Sequence, residues 1–418
     1  MRRITLASAL ALSLALCGGL LSGAAARAQT APAIVAPTPY MGWDTYFAIA
    51  NGFNESSILQ QAALLRSSGL EADGYRLIWL DAGWWQGQRD AQGNIAPSAT
   101  QWPHGIAWLA STLHANGFKL GVYTDGGPTG CGSPAGSFGH YQQDINTLAA
   151  WGVDALKVDW CGGSAKSLDP ATQYTQIHEA IVNNSSHRPM ILNVCNFLQP
   201  GQKSAPATPP FTQSAFDSYS FGETIATSWR TDTDVGAPGN VPFSAVLRNM
   251  DADATSPLAA GPGHWNDPDY LGPDQGMTAA QFQTQFSMWA MLAAPLMISD
   301  NMVSMSKASL ATVSNKAVIA VDQDPAGIQG TLVSWSGNGE VWEKPLIEDN
   351  YAVALLNRGS AAMNISTSAA ALGLPAAHSY TVTNLWTNRR SSSTGSFSSQ
   401  VQGDSTVMLR VSPAPSAS

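Results

Sequence analysis

The sequence predicts an α/β protein that has a (β/α)8 barrel followed by a C-terminal antiparallel β-sandwich. From about residue 38 to residue 310, strand-like apolar runs alternate with helix-like runs, and about eight strand candidates are present. Alternation of this kind is typical of a parallel sheet with right-handed crossovers, and eight repeats match a barrel. After about residue 315, short alternating runs separated by Gly, Asn and Ser predict antiparallel strands.

The strand candidates of the barrel are short and mostly apolar, and several end in or next to an acidic residue. In chain order they are Tyr40–Trp43, Tyr75–Leu80, Phe118–Tyr123, Asp154–Asp159, Met190–Cys195, Ile225–Thr231, Gly261–Tyr270 and Pro295–Ser299. Helical patterns lie between them, for example at Ser57–Ser68, Gln142–Trp151 and Ala279–Ala294. An open doubly wound sheet is the alternative, but no G-x-G-x-x-G motif follows the first candidate. We assign residues 36–312 to the barrel.

The C-terminal part has a different pattern, in which apolar and polar residues alternate over short runs. The predicted strands are Gly330–Trp335, Glu340–Lys344, Tyr351–Leu356, Ser379–Leu385 and Ser405–Val411. Alternation with a period of two is typical of strands that have one face on a core and one face in water. We assign residues 316–413 to the β-sandwich.

Composition excludes several classes of protein. Of the 418 residues, 44% are hydrophobic and only 12% are charged, which indicates a globular chain with a large core. The formal net charge of −9 argues against nucleic acid or an anionic membrane as the main partner. No stretch after the first 28 residues reaches about 18 uninterrupted apolar residues, so we predict no membrane span.

The first 28 residues have the features of a secretory signal peptide. Arg2 and Arg3 precede an apolar run from Ile4 to Leu21, and Ala26–Ala28 supplies a small-x-small cleavage site. We therefore expect a secreted or periplasmic protein. Cys131, Cys161 and Cys195 remain after the leader, and an oxidising compartment permits one disulfide among them and leaves one thiol.

Acidic residues collect where the barrel strands end, which is where active sites of such barrels lie. They are Asp81, Asp125, Asp159, Asp232, Asp234, Asp267 and Asp269. Carboxylates at this edge indicate acid–base chemistry or a metal site, and the spacing of Asp267 and Asp269 leaves a metal site open. The alternative is that single Asp residues cap the helices that follow. No H-E-x-x-H, P-loop or G-x-S-x-G motif is present, and nothing in the sequence calls for a cofactor.

Two groups of residues are candidates for catalysis. Lys157 and Asp159 share one face of a strand, because side chains alternate along it, and a Lys beside the carboxylate keeps it ionised as a nucleophile requires. A buried structural ion pair is the alternative. The second group is Arg230 with Asp232 and Asp234. Two carboxylates on opposite sides of a scissile bond are the minimum for glycoside hydrolysis.

These residues resemble glycoside hydrolase family 27, which contains α-galactosidases and α-N-acetylgalactosaminidases. The similar segments run in order over nearly the whole chain: Tyr40–Trp43, Gly74–Tyr75, Trp79–Trp84, Gly121–Tyr123, Trp151–Asp154, Lys157–Cys161, Ser228–Arg230 with Asp234, Gly261–Asp269, Ala294–Leu296 and Val321–Pro325. The resemblance implies a barrel followed by a β-sandwich, as the patterns also predict. It implies a retaining glycosidase that needs neither a metal nor an organic cofactor and takes carbohydrate as its partner.

The resemblance also implies a role for each site residue. Asp159 would be the nucleophile and Asp234 the general acid/base. The residues expected to bind the sugar are Trp43, Asp81, Tyr123, Lys157, Asn196, Arg230 and Asp269. Among these, Arg230 would bind the 2-hydroxyl, and Lys157 and Asp81 the hydroxyls around positions 3, 4 and 6. Cys131 and Cys161 match the disulfide of the family, which leaves Cys195 unpaired.

The chain departs from the family pattern at three places. Ala82 stands where the family usually has a second acid, Asn196 and Phe197 replace an acidic or Trp-rich loop, and Asp44 to Tyr46 replace the usual Asn-Ser-Trp. Terminal α-D-galactosides are the expected substrates. Because Ala82 removes a carboxylate from the sugar site, the alternative is another specificity of the family, such as an isomalto-dextranase that releases isomaltose from dextran. A catalytically silent carbohydrate-binding protein is the third reading.

Overall fold

Eight parallel strands form the first sheet of the protein, whose computed structural model describes residues 34–195 and 218–414. The strands are β1 Met41–Asp44, β2 Leu77–Leu80, β3 Lys119–Asp125, β4 Ala155–Asp159, β5 Ile191–Val194, β6 Ser228–Arg230, β7 Trp265–Asp267 and β8 Leu296–Ile298. They pair in the order β7-β6-β5-β4-β3-β2-β1-β8. Leu271, just after β7, bridges Ile298 of β8 in parallel and joins the two ends of the sheet. The predicted (β/α)8 barrel is confirmed.

Helices connect the strands and cover the outside of the sheet. They are α1 Thr45–Ile49, α2 Glu55–Ser67, α3 Leu70–Asp73, α4 Ile106–Ala115, α5 Tyr141–Ala150, α6 Cys161–Ala165, α7 Pro170–Val182, α8 Tyr219–Ile225, α9 Phe243–Asp253, α10 Ala279–Leu292, α11 Lys307–Val313 and α12 Lys316–Asp322, with a short 3-10 turn at Ala50–Gly52. Since helices cover one face of each strand and the barrel interior covers the other, nearly every strand residue is buried.

Helix α10 shows how local sequence sets the bounds of an element. Thr278 accepts a hydrogen bond from the main-chain N–H of Gln281, and the Gln281 side chain accepts one from the N–H of Thr278, which forms a capping box. The helix ends where Ala293 takes a left-handed conformation with φ 53°, and Pro295 follows two residues later. Most side chains of the helix are buried, because it lies between the barrel and the C-terminal domain.

The C-terminal domain consists of two antiparallel sheets. Its strands are β9 Thr331–Ser336, β10 Gly339–Leu346, β11 Asn350–Asn357, β12 Met363–Ser368, β13 Tyr380–Asn384, β14 Arg390–Ser393, β15 Ser396–Val401 and β16 Ser405–Pro413. Six of them pair in the order β14-β13-β16-β11-β10-β9, and β12 pairs with β15. Apolar side chains from both sheets, such as Val353, Ile365 and Phe397, share one core. The predicted β-sandwich is confirmed.

Polar contacts tie the sandwich to the barrel. Lys344 Nζ donates to the carbonyl of Ala290 in α10 at 2.8 Å, and Trp386 Nε1 donates to Ser287 Oγ at 3.0 Å. Arg358 of the sandwich forms ion pairs with Asp251 of α9 and with Glu340. Helix α12 falls within the range 316–413 that the sequence pattern assigned to the sandwich, and the first strand of that domain begins at Thr331.

The predicted leader at residues 1–28 lies outside the residues that the structure describes, as does Asn196. Within the two described ranges, no helix has the length and apolar character that a bilayer crossing requires.

Candidate active site

A small cavity lies at the carboxyl ends of the barrel strands. Its volume is about 70 Å³. Its walls are formed by Tyr46, Asp81, Ala82, Tyr123, Cys131, Lys157, Asp159, Arg230, Asp234, Asp269 and Tyr270. Both predicted catalytic acids and five of the predicted sugar-binding residues therefore lie in one cavity.

The seven acids predicted at the strand ends divide into two groups. Four of them, Asp81, Asp159, Asp234 and Asp269, line the cavity. The others hold the main chain or neighbouring side chains: Asp125 accepts from the N–H groups of Gly127, Gly162 and Gly163, Asp232 accepts from the N–H of Thr233, and Asp267 accepts from Asn193 and from the N–H of Asp269. In the described part of the chain, no group of three His, Cys, Asp or Glu is placed to hold a metal ion.

Lys157 is bound to Asp81 and to a tyrosine. Its Nζ donates to Asp81 Oδ2 at 2.7 Å and to Tyr270 Oη at 3.0 Å, and the Tyr270 hydroxyl donates to the same Asp81 oxygen at 2.9 Å. The ammonium group also lies 4.9 Å from the centre of the Tyr270 ring. Sequence reasoning paired Lys157 with Asp159, but the structure pairs it with Asp81, which the end of β2 brings across the barrel mouth. Two of the three ammonium N–H groups are thereby used.

Asp159 ends β4 and is almost fully buried. The pKa of its carboxyl is raised to about 7: burial raises it most, Lys157 lowers it, and the charges of Asp125, Asp234 and Asp81 also raise it. Lys157 thus favours the ionised form, as expected from the sequence, although burial raises the pKa by more than the cation lowers it.

Arg230 connects Asp234 and Asp269. Its Nη2 lies 3.1 Å from Asp234 Oδ1 and 2.8 Å from Asp269 Oδ2, and its Nη1 donates to Cys195 Sγ at 3.7 Å. Asp269 is buried and has a positive φ of 87°, a strained conformation for a residue with a side chain. Its Oδ2 also accepts from the N–H of Val235 at 2.7 Å, which fixes the segment that carries Asp234.

The two catalytic candidates differ in exposure. The side chain of Asp234 is 36% exposed, while Asp159 is 5% exposed. The two carboxyls therefore differ in their access to solvent.

A disulfide closes one wall of the cavity. Cys131, in the loop after β3, is bonded to Cys161 at the start of α6, with Cα atoms 5.0 Å apart, and this is the pair that the resemblance implies. Tyr123 Oη accepts a hydrogen bond from the N–H of Cys131 at 3.0 Å. The corner is tightly packed, since a Cβ on Gly162 would lie 1.9 Å from the carbonyl oxygen of Thr129. Cys195 is a buried free thiol.

Some of the predicted and observed site residues differ. Trp43 does not line the cavity as expected: it is fully buried, and its Nε1 donates to the Asp300 carbonyl at 2.7 Å, which holds the ring inside the barrel wall. Tyr270 and Tyr46 line the cavity but were missed as binding residues. Tyr270 directly follows Asp269 after β7, and this position is the signal that could have identified it.

Comparison with known proteins agrees with this geometry. A family model described as alpha galactosidase A matches residues 42–324, and one described as alpha galactosidase C-terminal beta sandwich domain matches residues 336–411. Alpha-galactosidase 2 of Arabidopsis thaliana is 37% identical over 84% of this chain and 83% of its own. Alpha-galactosidase A of Cellvibrio japonicus is 34% identical over 85% of this chain and 84% of its own.

A solved structure gives the same result. The crystal structure of alpha-galactosidase I from Mortierella vinacea superposes with a TM-score of 0.82 at 25% identity, and it covers 93% of this chain and 100% of its own. Both domains of this chain are thus matched in sequence, and nearly all of it is matched in structure. The chain belongs to glycoside hydrolase family 27, the alpha-galactosidase family, and is an alpha-galactosidase-like O-glycosyl hydrolase.

Proposed function

We propose that this enzyme hydrolyses terminal α-D-galactosides by double displacement, with retention of configuration. The observation that carries the proposal is that Asp159 and Asp234 line one cavity together with the Lys157–Asp81 and Arg230–Asp269 pairs. A buried carboxylate and a partly exposed carboxyl in one cavity are the two groups that a retaining glycosidase needs. The names of the relatives support galactose as the sugar.

The reaction proceeds in two steps. Asp159 attacks the anomeric carbon while Asp234 gives its proton to the leaving glycosidic oxygen, so the glycosidic bond breaks as the glycosyl–enzyme ester forms. Water then attacks the same carbon and transfers its proton to Asp234, which acts now as base, and the ester bond to Asp159 breaks. Each carboxyl ends the cycle in its starting state, because the proton given in the first step is recovered in the second.

The charged pairs around the acids bind the sugar. Lys157 has one ammonium N–H left, and Asp81 has acceptor capacity, so the pair binds the hydroxyls around positions 3, 4 and 6. Arg230 binds the 2-hydroxyl, next to the anomeric carbon. Each charge-assisted hydrogen bond of this kind contributes roughly 1.5–3 kcal/mol. We also propose that residues 1–28 direct export, which the disulfide supports because such bonds persist in oxidising compartments.

One observation favours a sugar other than galactose as the substrate. Ala82 lines the cavity where the family usually has a second acid, so one charged contact to the sugar is missing. Another α-linked sugar, such as the isomaltose unit that an isomalto-dextranase releases, is the competing substrate. A non-catalytic carbohydrate-binding role is disfavoured, since such a protein has no need for two carboxyls of different exposure in one cavity.

The test is hydrolysis of chromogenic substrates by the purified protein. α-Galactoside should be cleaved faster than α-glucoside, α-N-acetylgalactosaminide or β-L-arabinopyranoside, and proton NMR should show α-galactose as the first product. Preferred cleavage of the α-glucoside would favour the alternative specificity, and β-galactose as first product would exclude retention.

Asp159→Asn should reduce kcat by at least about 10³-fold, because an amide cannot form the ester intermediate. The matched control is Asp253→Asn, which changes a fully buried acid of α9 that does not line the cavity. Circular dichroism should show both variants folded. Near-normal activity of Asp159→Asn would contradict the assignment.

A further inference from the structure

Asp234 lies in a loop and not on a strand of the barrel. It comes four residues after Arg230, which ends β6, and α9 begins only at Phe243. Its side chain is 36% exposed, so packing alone does not fix it. A general acid must nevertheless stand within hydrogen-bond reach of the oxygen that it protonates. The position of this carboxyl therefore depends on the bonds that hold the main chain of the loop.

One buried side chain of α9 joins the loop that carries Asp234 to the loop that carries Asp269. Asn249 is fully buried, and its Nδ2 donates to the carbonyl of Thr233 at 2.8 Å and to the carbonyl of Pro268 at 3.0 Å. These carbonyls belong to the residues directly before Asp234 and Asp269 in the chain. A single amide group thus binds the two peptide groups that lead into the two acids.

The neighbouring residue Arg248 orients this amide group. Arg248 donates to Asn249 Oδ1 from Nε at 3.1 Å and from Nη2 at 2.8 Å. Because a guanidinium group can only donate, it faces the oxygen of the amide and directs the nitrogen to the two carbonyls. The same Nη2 donates to the carbonyl of Asp234 at 2.8 Å. The carbonyls of Thr233 and Asp234, on either side of the Asp234 Cα atom, are therefore both bound to side chains of α9.

The other contacts between the two loops use the acids themselves. The N–H of Val235 donates to Asp269 Oδ2 at 2.7 Å. Arg230 Nη2 is 3.1 Å from Asp234 Oδ1 and 2.8 Å from Asp269 Oδ2. In the proposed function these carboxyls also exchange a proton or bind the sugar, so their contacts change during the reaction. The bonds from Asn249 go only to main-chain oxygens and do not depend on the protonation of either acid.

We propose that Asn249 is a positioning residue for Asp234. By binding the peptide groups before Asp234 and Asp269 together, it keeps the Asp234 carboxyl in place while that carboxyl loses and regains its proton. The inference rests on the proposed function, in which Asp234 protonates the leaving oxygen. Misplacement of a reacting group by about 1 Å can cost about 10²-fold in rate, so the loss of the two bonds should weaken proton transfer above all.

The test varies the leaving group, because only a poor leaving group needs a proton from the enzyme. Methyl and 2,4-dinitrophenyl α-glycosides of the sugar that the wild type cleaves best are compared through kcat/KM, which covers the first bond cleavage. In Asn249→Ala, kcat/KM should fall by about 10–100-fold for the methyl glycoside. It should stay close to the wild-type value for the dinitrophenyl glycoside, whose phenolate leaves without protonation. An equal fall for both substrates would overturn the proposal.

The matched control is Asn184→Ala. Asn184 is also buried, and its Nδ2 donates to the carbonyls of Ile181 at 2.7 Å and Arg188 at 2.8 Å. It lies between α7 and β5, at the amino end of the barrel strands and away from the cavity. The control should leave the ratio of the two kcat/KM values unchanged. If Asn249→Ala does not fold, Asn249→Asp takes its place, since it keeps the shape of the side chain and the oxygen that faces Arg248 but has no amide donors.

Asp234→Asn, measured with the same two substrates, separates a failure of the inference from a failure of the proposed function. If this variant does not discriminate between the leaving groups, Asp234 is not the general acid, and the proposed function fails together with the inference. If Asp234→Asn discriminates and Asn249→Ala does not, the proposed function stands and the positioning role of Asn249 is overturned.

A second readout does not depend on activity. Amide hydrogen exchange of peptides that cover residues 231–240 reports how firmly the loop is held. Exchange in this loop should be faster in Asn249→Ala than in the wild type and unchanged in Asn184→Ala. Equal exchange in Asn249→Ala and the wild type would overturn the proposal.

Discussion

At the scale of single residues, the pKa of Asp159 predicts how activity depends on pH. The proposed nucleophile must be ionised, and burial is the main cause that raises its pKa to about 7. As pH falls below this value the protonated fraction grows, so kcat/KM should fall by about tenfold per pH unit. The measurement is the pH profile of kcat/KM, which reports groups of the free enzyme.

A change at Asp125 should shift the acidic limb of this profile, which is the pH range where kcat/KM falls. Its negative charge raises the pKa of Asp159, and it does not line the cavity. Asp125→Asn should therefore shift the acidic limb to lower pH. Because Asp125 also accepts from the N–H groups of Gly127, Gly162 and Gly163, kcat on the plateau should fall as well, and the position of the limb is the quantity to compare. A limb that stays near neutral pH in this variant would show that another group controls it.

Ala82 predicts a change in sugar preference. Restoring an acid by Ala82→Asp should raise kcat/KM for the α-galactoside, by up to about tenfold for each 1.4 kcal/mol regained. If the enzyme prefers a glucose-type sugar, the same change should lower activity, because it adds an unpaired charge to the wall. The measurement is the ratio of kcat/KM values for the two sugars. An unchanged ratio would show that Ala82 does not govern specificity.

Sequence reasoning identified charged site residues better than aromatic ones. Asp159, Lys157 and Arg230 stand at strand ends within distinctive motifs, and strand periodicity sets the side to which they point. The positions of the Trp43 and Tyr270 rings were harder to predict, because an aromatic residue at a strand end can face the cavity or pack inside the barrel wall. The choice depends on tertiary contacts, such as the bond from Trp43 to the Asp300 carbonyl. The pairing of Lys157 with Asp81 likewise depends on contact across the barrel.

At the scale of secondary-structure elements, the disulfide makes a direct prediction. Cys131 and Cys161 are 30 residues apart, and a loop of that length corresponds to roughly 3–4 kcal/mol of stabilisation. The double variant Cys131→Ser/Cys161→Ser should lose about this free energy of unfolding, measured with denaturant. Mass mapping of non-reduced peptides should recover the Cys131–Cys161 link and an unlinked Cys195. A disulfide that includes Cys195 would overturn the pairing.

The strands were predicted unequally well, for a physical reason. All eight barrel strands were located from apolar runs. Six are one to several residues shorter than predicted, and β1 and β3 extend one or two residues further at the carboxyl end. β12, β14 and β15 were missed, because Met363–Ser368, Arg390–Ser393 and Ser396–Val401 are rich in serine and contain little apolar alternation. Phe397 and Val401 are buried in the core of the sandwich, and the main chain of β15 pairs with β12. Such strands are specified by their partners and not by their own pattern.

At the scale of the whole molecule, the sandwich is held to the barrel by a buried ionic cluster. Arg358 is 8% exposed at its side chain and pairs with Asp251 of α9 and with Glu340 of β10. Burial raises the pKa of Asp251 to about 7, and Arg358 lowers it. Helix α9 follows the segment that carries Asp234, so this cluster connects the sandwich to the element next to that segment.

Removing the cation of that cluster gives the last prediction. Arg358→Ala leaves two buried carboxyls without their partner, and breaking a buried pair in this way typically costs about 3–5 kcal/mol. The free energy of unfolding should fall by this amount, while KM at low temperature should change little because Arg358 does not line the cavity. Arg389→Ala, on the exposed surface of the same domain, is the control and should change stability by less than about 0.5 kcal/mol. Equal effects of the two variants would show that the Arg358 ion pairs do not stabilise the contact between the two domains.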